Sequence, residues 1–105
     1  WVLTLAGSGG SWQELTVAGS KPMGRTCYTA VSLEGDRLLL FGGSAGSDGR
    51  NDAWVLAVAG SEGTSHEVNV SGIKPEGRYG HASVPWGGDG MLLFGGFGNR
   101  RLNDV

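Results

Sequence analysis

The chain has 105 residues, among them 21 glycines, 3 prolines and a single cysteine, and its formal net charge is −2. That balance gives no general case for nucleic-acid binding, and one cysteine excludes an internal disulfide and points to a reducing, cytoplasmic compartment. No apolar run reaches the length needed to cross a membrane, and no targeting segment is visible in these residues.

In chain order the sequence reads as short apolar runs broken by Gly, Asn, Asp, Ser and Pro, which is the pattern of strands. Runs are predicted at about 1–5 and 12–17, then 27–33, 37–41, 53–58 and 66–70, then 80–85 and 90–94. No stretch carries a helical period. Residues 7–11 and 60–65 read as hairpin loops, and Glu34-Gly35-Asp36 and Gly87-Gly88-Asp89 fall where a tight hairpin is needed. Gly42-Gly43 and Gly95-Gly96 close fully apolar strands, where a missing side chain permits close backbone approach. Pro22 and Pro75 stiffen the entry to the runs at 27–33 and 80–85.

The runs repeat. Residues 1–43 align without a gap onto residues 54–96, with 22 of the 43 positions identical. A period near fifty residues marks a propeller blade or a solenoid unit, because each unit exposes an apolar face that only a neighbour covers. The shared order is specific: Trp12-x-x-Leu15, Pro22-x-x-Arg25-x-x-Tyr28, Leu39-Leu40-Phe41-Gly42-Gly43 and Asn51-Asp52-x-Trp54-x-Leu56. The second copy has Pro75-x-x-Arg78-x-x-His81, Leu92-Leu93-Phe94-Gly95-Gly96 and Asn103-Asp104. This order resembles the kelch repeat. The resemblance implies an all-β fold of kelch-type propeller blades, each a four-stranded antiparallel sheet, within a six- or seven-bladed ring. The expected division is 1–17 as the outer two strands of one blade, 18–71 as a complete blade and 72–105 as the inner two strands of the next. Ser65 stands where the first copy has Trp12, which is expected to weaken one blade edge. Asn103-Asp104-Val105 followed by Trp1 would read like Asn51-Asp52-Ala53-Trp54, so the chain is expected to be either a piece of a longer protein or a unit that joins copies of itself.

Trp1 and Trp54 each open a third strand and are expected to be equivalent and largely buried. Arg25 and Arg78 have the fork geometry of ligand clamps, but both copies carry them, so an internal bond to Asp52 and Asp104 is favoured. His66, His81 and Cys27 show no metal-ligand spacing, and no metal or cofactor is expected. No paired carboxylates or Ser, His and Asp set argue for catalysis, so no catalytic residue is assigned. Asn69-Val70-Ser71 is a glycosylation sequon by pattern alone.

The copies differ most in two connections, residues 44–50 against 97–102 and residues 18–24 against 71–77. In an up-and-down blade these emerge on one face. Seven basic residues lie there against four acidic, while the remainder holds one basic against six acidic. The expected function is therefore a non-catalytic module for protein–protein interaction through this variable loop face. The candidate partner-binding residues are Lys21, Met23, Arg50, Lys74, Phe97, Arg100 and Arg101. The expected partner is a protein with acidic or phosphorylated groups, not nucleic acid or membrane. The ring itself is expected to be completed by further kelch repeats or by copies of the chain, three of which would supply six blades. The competing readings are a purely structural self-associating unit and the propeller part of a larger enzyme.

Overall fold

Nine strands and no helix make up the chain in the computed structural model, which describes all 105 residues. In order they are β1 (Val2–Ala6), β2 (Gly9–Gln13), β3 (Thr16–Gly19), β4 (Thr29–Leu33), β5 (Arg37–Phe41), β6 (Ala53–Ala59), β7 (Glu62–Glu67), β8 (Ala82–Trp86) and β9 (Gly90–Phe94). They form three sheets: β1–β2, a five-stranded sheet in the order β3-β7-β6-β5-β4, and β8–β9. Within the large sheet β4 to β7 are an antiparallel meander, as expected of a propeller blade.

Two expectations about the strands fail for a shared reason. The outer strand, predicted at 66–70, instead runs over Glu62–Glu67, and its counterpart starts at Gly9. The loops are only two residues long: Gly60-Ser61 between Ala59 and Glu62, and Gly7-Ser8 between Ala6 and Gly9. A Gly-first two-residue turn matches the twist of the strands it joins, so pairing resumes at once. The run predicted at 12–17 is accordingly split. Its first part ends β2, and its last two residues begin β3, which pairs in parallel with β7 from Thr16↔Glu62 to Gly19↔Ser65. β3 thus straddles the division expected at 17/18 and adds a fifth strand to the blade. Ser65, expected to weaken this edge, lies buried beside β3.

The core follows from alternation on the pleat. Val31 and Leu33 of β4 point to one face with Phe41 of β5, and all three are buried where β4 packs against β8. At roughly 1.5–3 kcal/mol for each large apolar side chain, this seam is a main source of cohesion between the repeats. Backbone bonds close its upper end: Gly43 N–H donates to the Arg78 carbonyl at 2.9 Å, Arg78 N–H to the Arg50 carbonyl at 3.0 Å, and Gly80 N–H to the Cys27 carbonyl at 2.9 Å. The glycines here are backbone requirements. Gly43 has φ +93°, and a Cβ on it would lie 2.8 Å from the Thr26 carbonyl oxygen. The opposite face of the sheet is uncovered. It forms an apolar hollow of about 420 Å³ between Val17, Pro22, Tyr28, Leu38, Leu40 and Trp54.

Candidate functional site

The loop face is built on two copies of one device. Arg25 forks onto Asp52, with Nη1–Oδ1 at 2.6 Å and Nη2–Oδ2 at 2.8 Å, and also donates to the carbonyls of Gly42 at 3.0 Å and Met23 at 3.1 Å. Arg78 repeats this on Asp104 at 2.6 and 2.7 Å, with the carbonyls of Gly95 at 2.9 Å and Glu76 at 3.1 Å. Both guanidiniums are buried, and every bond they make is internal. They therefore brace the strand ends, as favoured from the sequence, and leave no fork free for a ligand. Asp52 also accepts the Trp54 indole N–H at 2.7 Å. The Arg25 bond, reinforced by that indole, holds the Asp52 carboxyl down at about 2, against the desolvation that opposes it.

Around the first of these braces lies a polar groove of about 490 Å³. Lys21, Met23 and Arg50 line it together with Asn51 and Glu67. Lys21 enters from the connection after β3, and Arg50 from the connection between β5 and β6. With Arg25 bound to Asp52, Lys21 and Arg50 are cations with no carboxylate within 4 Å. The structure therefore brings three of the predicted partner residues into one site.

The other four are spread over the second repeat. Phe97 tilts against Tyr79 with ring centroids 5.6 Å apart and remains partly exposed. Arg100 is not free, since its Nη2 lies 3.7 Å from Glu76 Oε2. Arg101 and Lys74 are exposed and make no ion pair. The sequence reading missed Glu67, which it counted with the opposite side. Because β7 begins at Glu62, Glu67 ends the strand at the groove, and Glu14 follows β2 at the corresponding end. The loop face then holds seven basic residues against six acidic, so the broad charge separation largely disappears. What survives is the local pair Lys21 and Arg50.

His81 stands apart from this groove at the seam between repeats. Its Nε2 lies 2.7 Å from Thr29 Oγ1, its ring meets Phe41 edge-on at 5.7 Å, and its Nδ1 has no partner. Burial, aided by the nearby Arg78 charge, pushes its pKa below the usual histidine value.

The family model described as "KLHDC2/KLHL20/DRC7 Kelch-repeats domain" matches residues 1–105. The chain belongs to the kelch-repeat family. Kelch relatives include Adagio-like protein 1 of Oryza sativa subsp. japonica, 37% identical over 97 residues, which are 90% of this chain and 15% of that protein. Another is the Rab9 effector protein with kelch motifs of Danio rerio, 32% identical over 93 residues, 88% of this chain and 26% of that protein. Tip elongation aberrant protein 1 of Schizosaccharomyces pombe is 36% identical over 97 residues, 89% of this chain and 8% of that protein. The chain thus spans about a quarter or less of the length of these relatives. Kelch repeats are generally interaction modules and generally non-catalytic.

Proposed function

We propose that this kelch chain is a non-catalytic binding module whose loop-face groove takes an acidic or phosphorylated segment of a protein partner. The observation that carries the reading is the pair Lys21 and Arg50, two cations without a carboxylate partner that line one groove. Lys21 recurs as Lys74 but Arg50 does not recur, and neither is spent on bracing as Arg25 and Asp52 are. A guanidinium forks onto a carboxylate or phosphate, an ammonium adds a point charge, and Met23 supplies an adaptable apolar contact. Glu67, which also lines the groove, sets the register by repelling a second acidic group beside it. Phe97, Arg101 and Lys74 extend the contact across the second repeat. A relative named as an effector of Rab9 accords with a protein as the partner.

Selection of peptides from a randomised library on the immobilised chain tests this. The selected peptides should be rich in Asp, Glu or phosphoserine and should bind more weakly as salt rises, since exposed charges are screened beyond about 8–10 Å. Lys21→Glu with Arg50→Glu should abolish that binding while leaving the melting temperature unchanged. Neutral peptides, or binding indifferent to these two changes, would overturn the proposal.

A further inference from the structure

One charge in the loop-face groove has no counterpart in a purely acidic partner. The charged side chains that line the groove are Lys21, Arg25, Arg50, Asp52 and Glu67. Arg25 and Asp52 satisfy one another through the fork at 2.6 and 2.8 Å. Lys21 and Arg50 have no carboxylate within 4 Å, and Glu67 has no cation within 4 Å. The groove is therefore dipolar, with two unpaired cations and one unpaired anion around a neutralised pair.

Strand register fixes where these charges stand. Asp52 and Trp54 are two residues apart and share a face, as the indole bond to the Asp52 carboxylate at 2.7 Å shows. Glu67 is directly opposite Trp54 in the β6–β7 ladder, and directly opposed residues turn their side chains to one face. Glu67 thus stands on the face of the brace and is itself exposed. β3 runs parallel to β7, with Gly19 beside Ser65. Continued by two residues, that register would set Lys21 beside Glu67. The strand instead ends at Gly19, where φ is +86°, and Pro22 restricts the backbone just beyond. Lys21 and Glu67 therefore line one groove without closing on each other.

The remaining polar side chain suits an extended segment. Asn51 donates its amide to the Pro75 carbonyl at 3.4 Å, which leaves its oxygen as an acceptor for a backbone N–H of the partner. The second repeat does not build the same site. It has Leu102 before its Asn-Asp pair where the first has Arg50, and Glu76 in place of Met23, with Arg100 3.7 Å away.

We infer that the groove selects a segment in which the acidic or phosphorylated residue has a Lys or Arg two residues away, the acid meeting Lys21 and Arg50 and the base meeting Glu67. This rests on the proposed binding of an acidic segment and specifies its sequence. Alternate residues of an extended chain face the same way, about 6.4–6.8 Å apart, so residues two apart enter the groove together. A purely acidic segment leaves Glu67 facing like charge, whereas a mixed one turns that repulsion into a second ion pair.

Titration of the chain by NMR with ten-residue Gly/Ser peptides is the test. Each peptide carries Glu or phosphoserine, with Lys two residues away in either order, or Gln in that place. At least one Lys order should bind about three- to fivefold more tightly than its Gln counterpart, the gain of a partly exposed ion pair. Glu67→Gln should remove that difference, and Glu67→Lys should reverse it in favour of Gln. Because Glu67 is exposed at a strand end, both variants should melt as the parent chain does. Equal binding of the Lys and Gln peptides overturns the inference while the acid-binding reading stands. So does a preference for Lys that survives or grows in Glu67→Gln, because the base is then held elsewhere or Glu67 competes for Lys21. No binding of any peptide overturns both.

Discussion

The β4–β5 and β8–β9 hairpins correspond in the repeat, sharing 6 of 13 residues, and are opposites in environment. Val31 is 5% exposed and its counterpart Val84 53%, while Phe41 is 8% exposed and Phe94 54%. The side chains are the same, and so is the pairing, since both hairpins hold five residue pairs. The difference is that β8 packs against the Val31 and Leu33 face of β4, whereas no strand packs in the same way against β8. The tryptophans repeat the lesson. Trp54 is 8% exposed, but Trp1, expected to be largely buried, is open to solvent because no strand equivalent to β5 and no Asp stands beside it. Burial in a repeat fold is a property of the neighbour more than of the residue.

The sharpest way to break this comparison is to truncate the same residue type in both settings. Trp54→Ala should cost about 3–5 kcal/mol, because it removes a packed indole and a bond to Asp52. Trp1→Ala should change single-copy stability by less than about 0.5 kcal/mol, as exposed positions do. Urea unfolding at low protein concentration reads both, and equal losses would show that the two sites are alike.

Next in size is the brace. Asp52→Ala leaves the buried Arg25 guanidinium without its carboxylate, and breaking a buried pair from one side costs about 3 kcal/mol or more. The same unfolding measurement should show that loss, and an unchanged midpoint would mean that solvent replaces Asp52.

Acidification separates the seam from the brace. His81 is a base whose folded pKa lies below 6.5, so the unfolded chain binds the proton more readily. Its contribution is complete above about pH 6.5 and is lost as pH falls through the folded value. Asp52, lowered from 3.8 to about 2, contributes fully above about pH 4, and that is lost as pH falls towards 2. Melting temperature should therefore decline in two steps, the first near the histidine range and the second in strong acid. His81→Tyr, which places the first repeat's residue at the seam, should remove the first step and keep the second. A single step in both proteins would refute the assignment.

The smallest effect is expected where the two hairpins touch at the surface. Arg37 Nη2 and Asp89 Oδ1 are 2.5 Å apart, but both side chains are well exposed. Arg37→Ala should cost at most about 1 kcal/mol, and less in high salt. A larger loss would mean that this pair helps to hold the repeats together.

Much of the candidate site was legible because the sequence states it twice. Arg25 and Arg78 recur 27 and 26 residues before Asp52 and Asp104, and that recurrence marked them as internal before any distance was known. Lys21, Met23 and Arg50 were legible as variable-loop residues, but their meeting in one groove required the strands to be set side by side. Glu67 was misplaced because the loop before it was read as 60–65. The signal was present in Gly60-Ser61, a dipeptide suited to a two-residue turn, which moves the start of β7 back to Glu62. The parallel pairing of β3 on β7 had no signal in a strand-by-strand reading, since parallel partners lie far apart in sequence.

By itself the sequence determined the all-β class, the kelch repeat, the hairpin turns at 34–36 and 87–89 and the residues of the two braces. These depend on local chemistry: alternation on a pleat, glycine where φ is positive, and a fork-shaped cation at a set spacing from an acid. Only the tertiary structure decided which copies of identical side chains are buried and which cations remain unpaired. Those properties depend on what lies on the other side of a sheet, and residues that recur in both repeats have different neighbours in each.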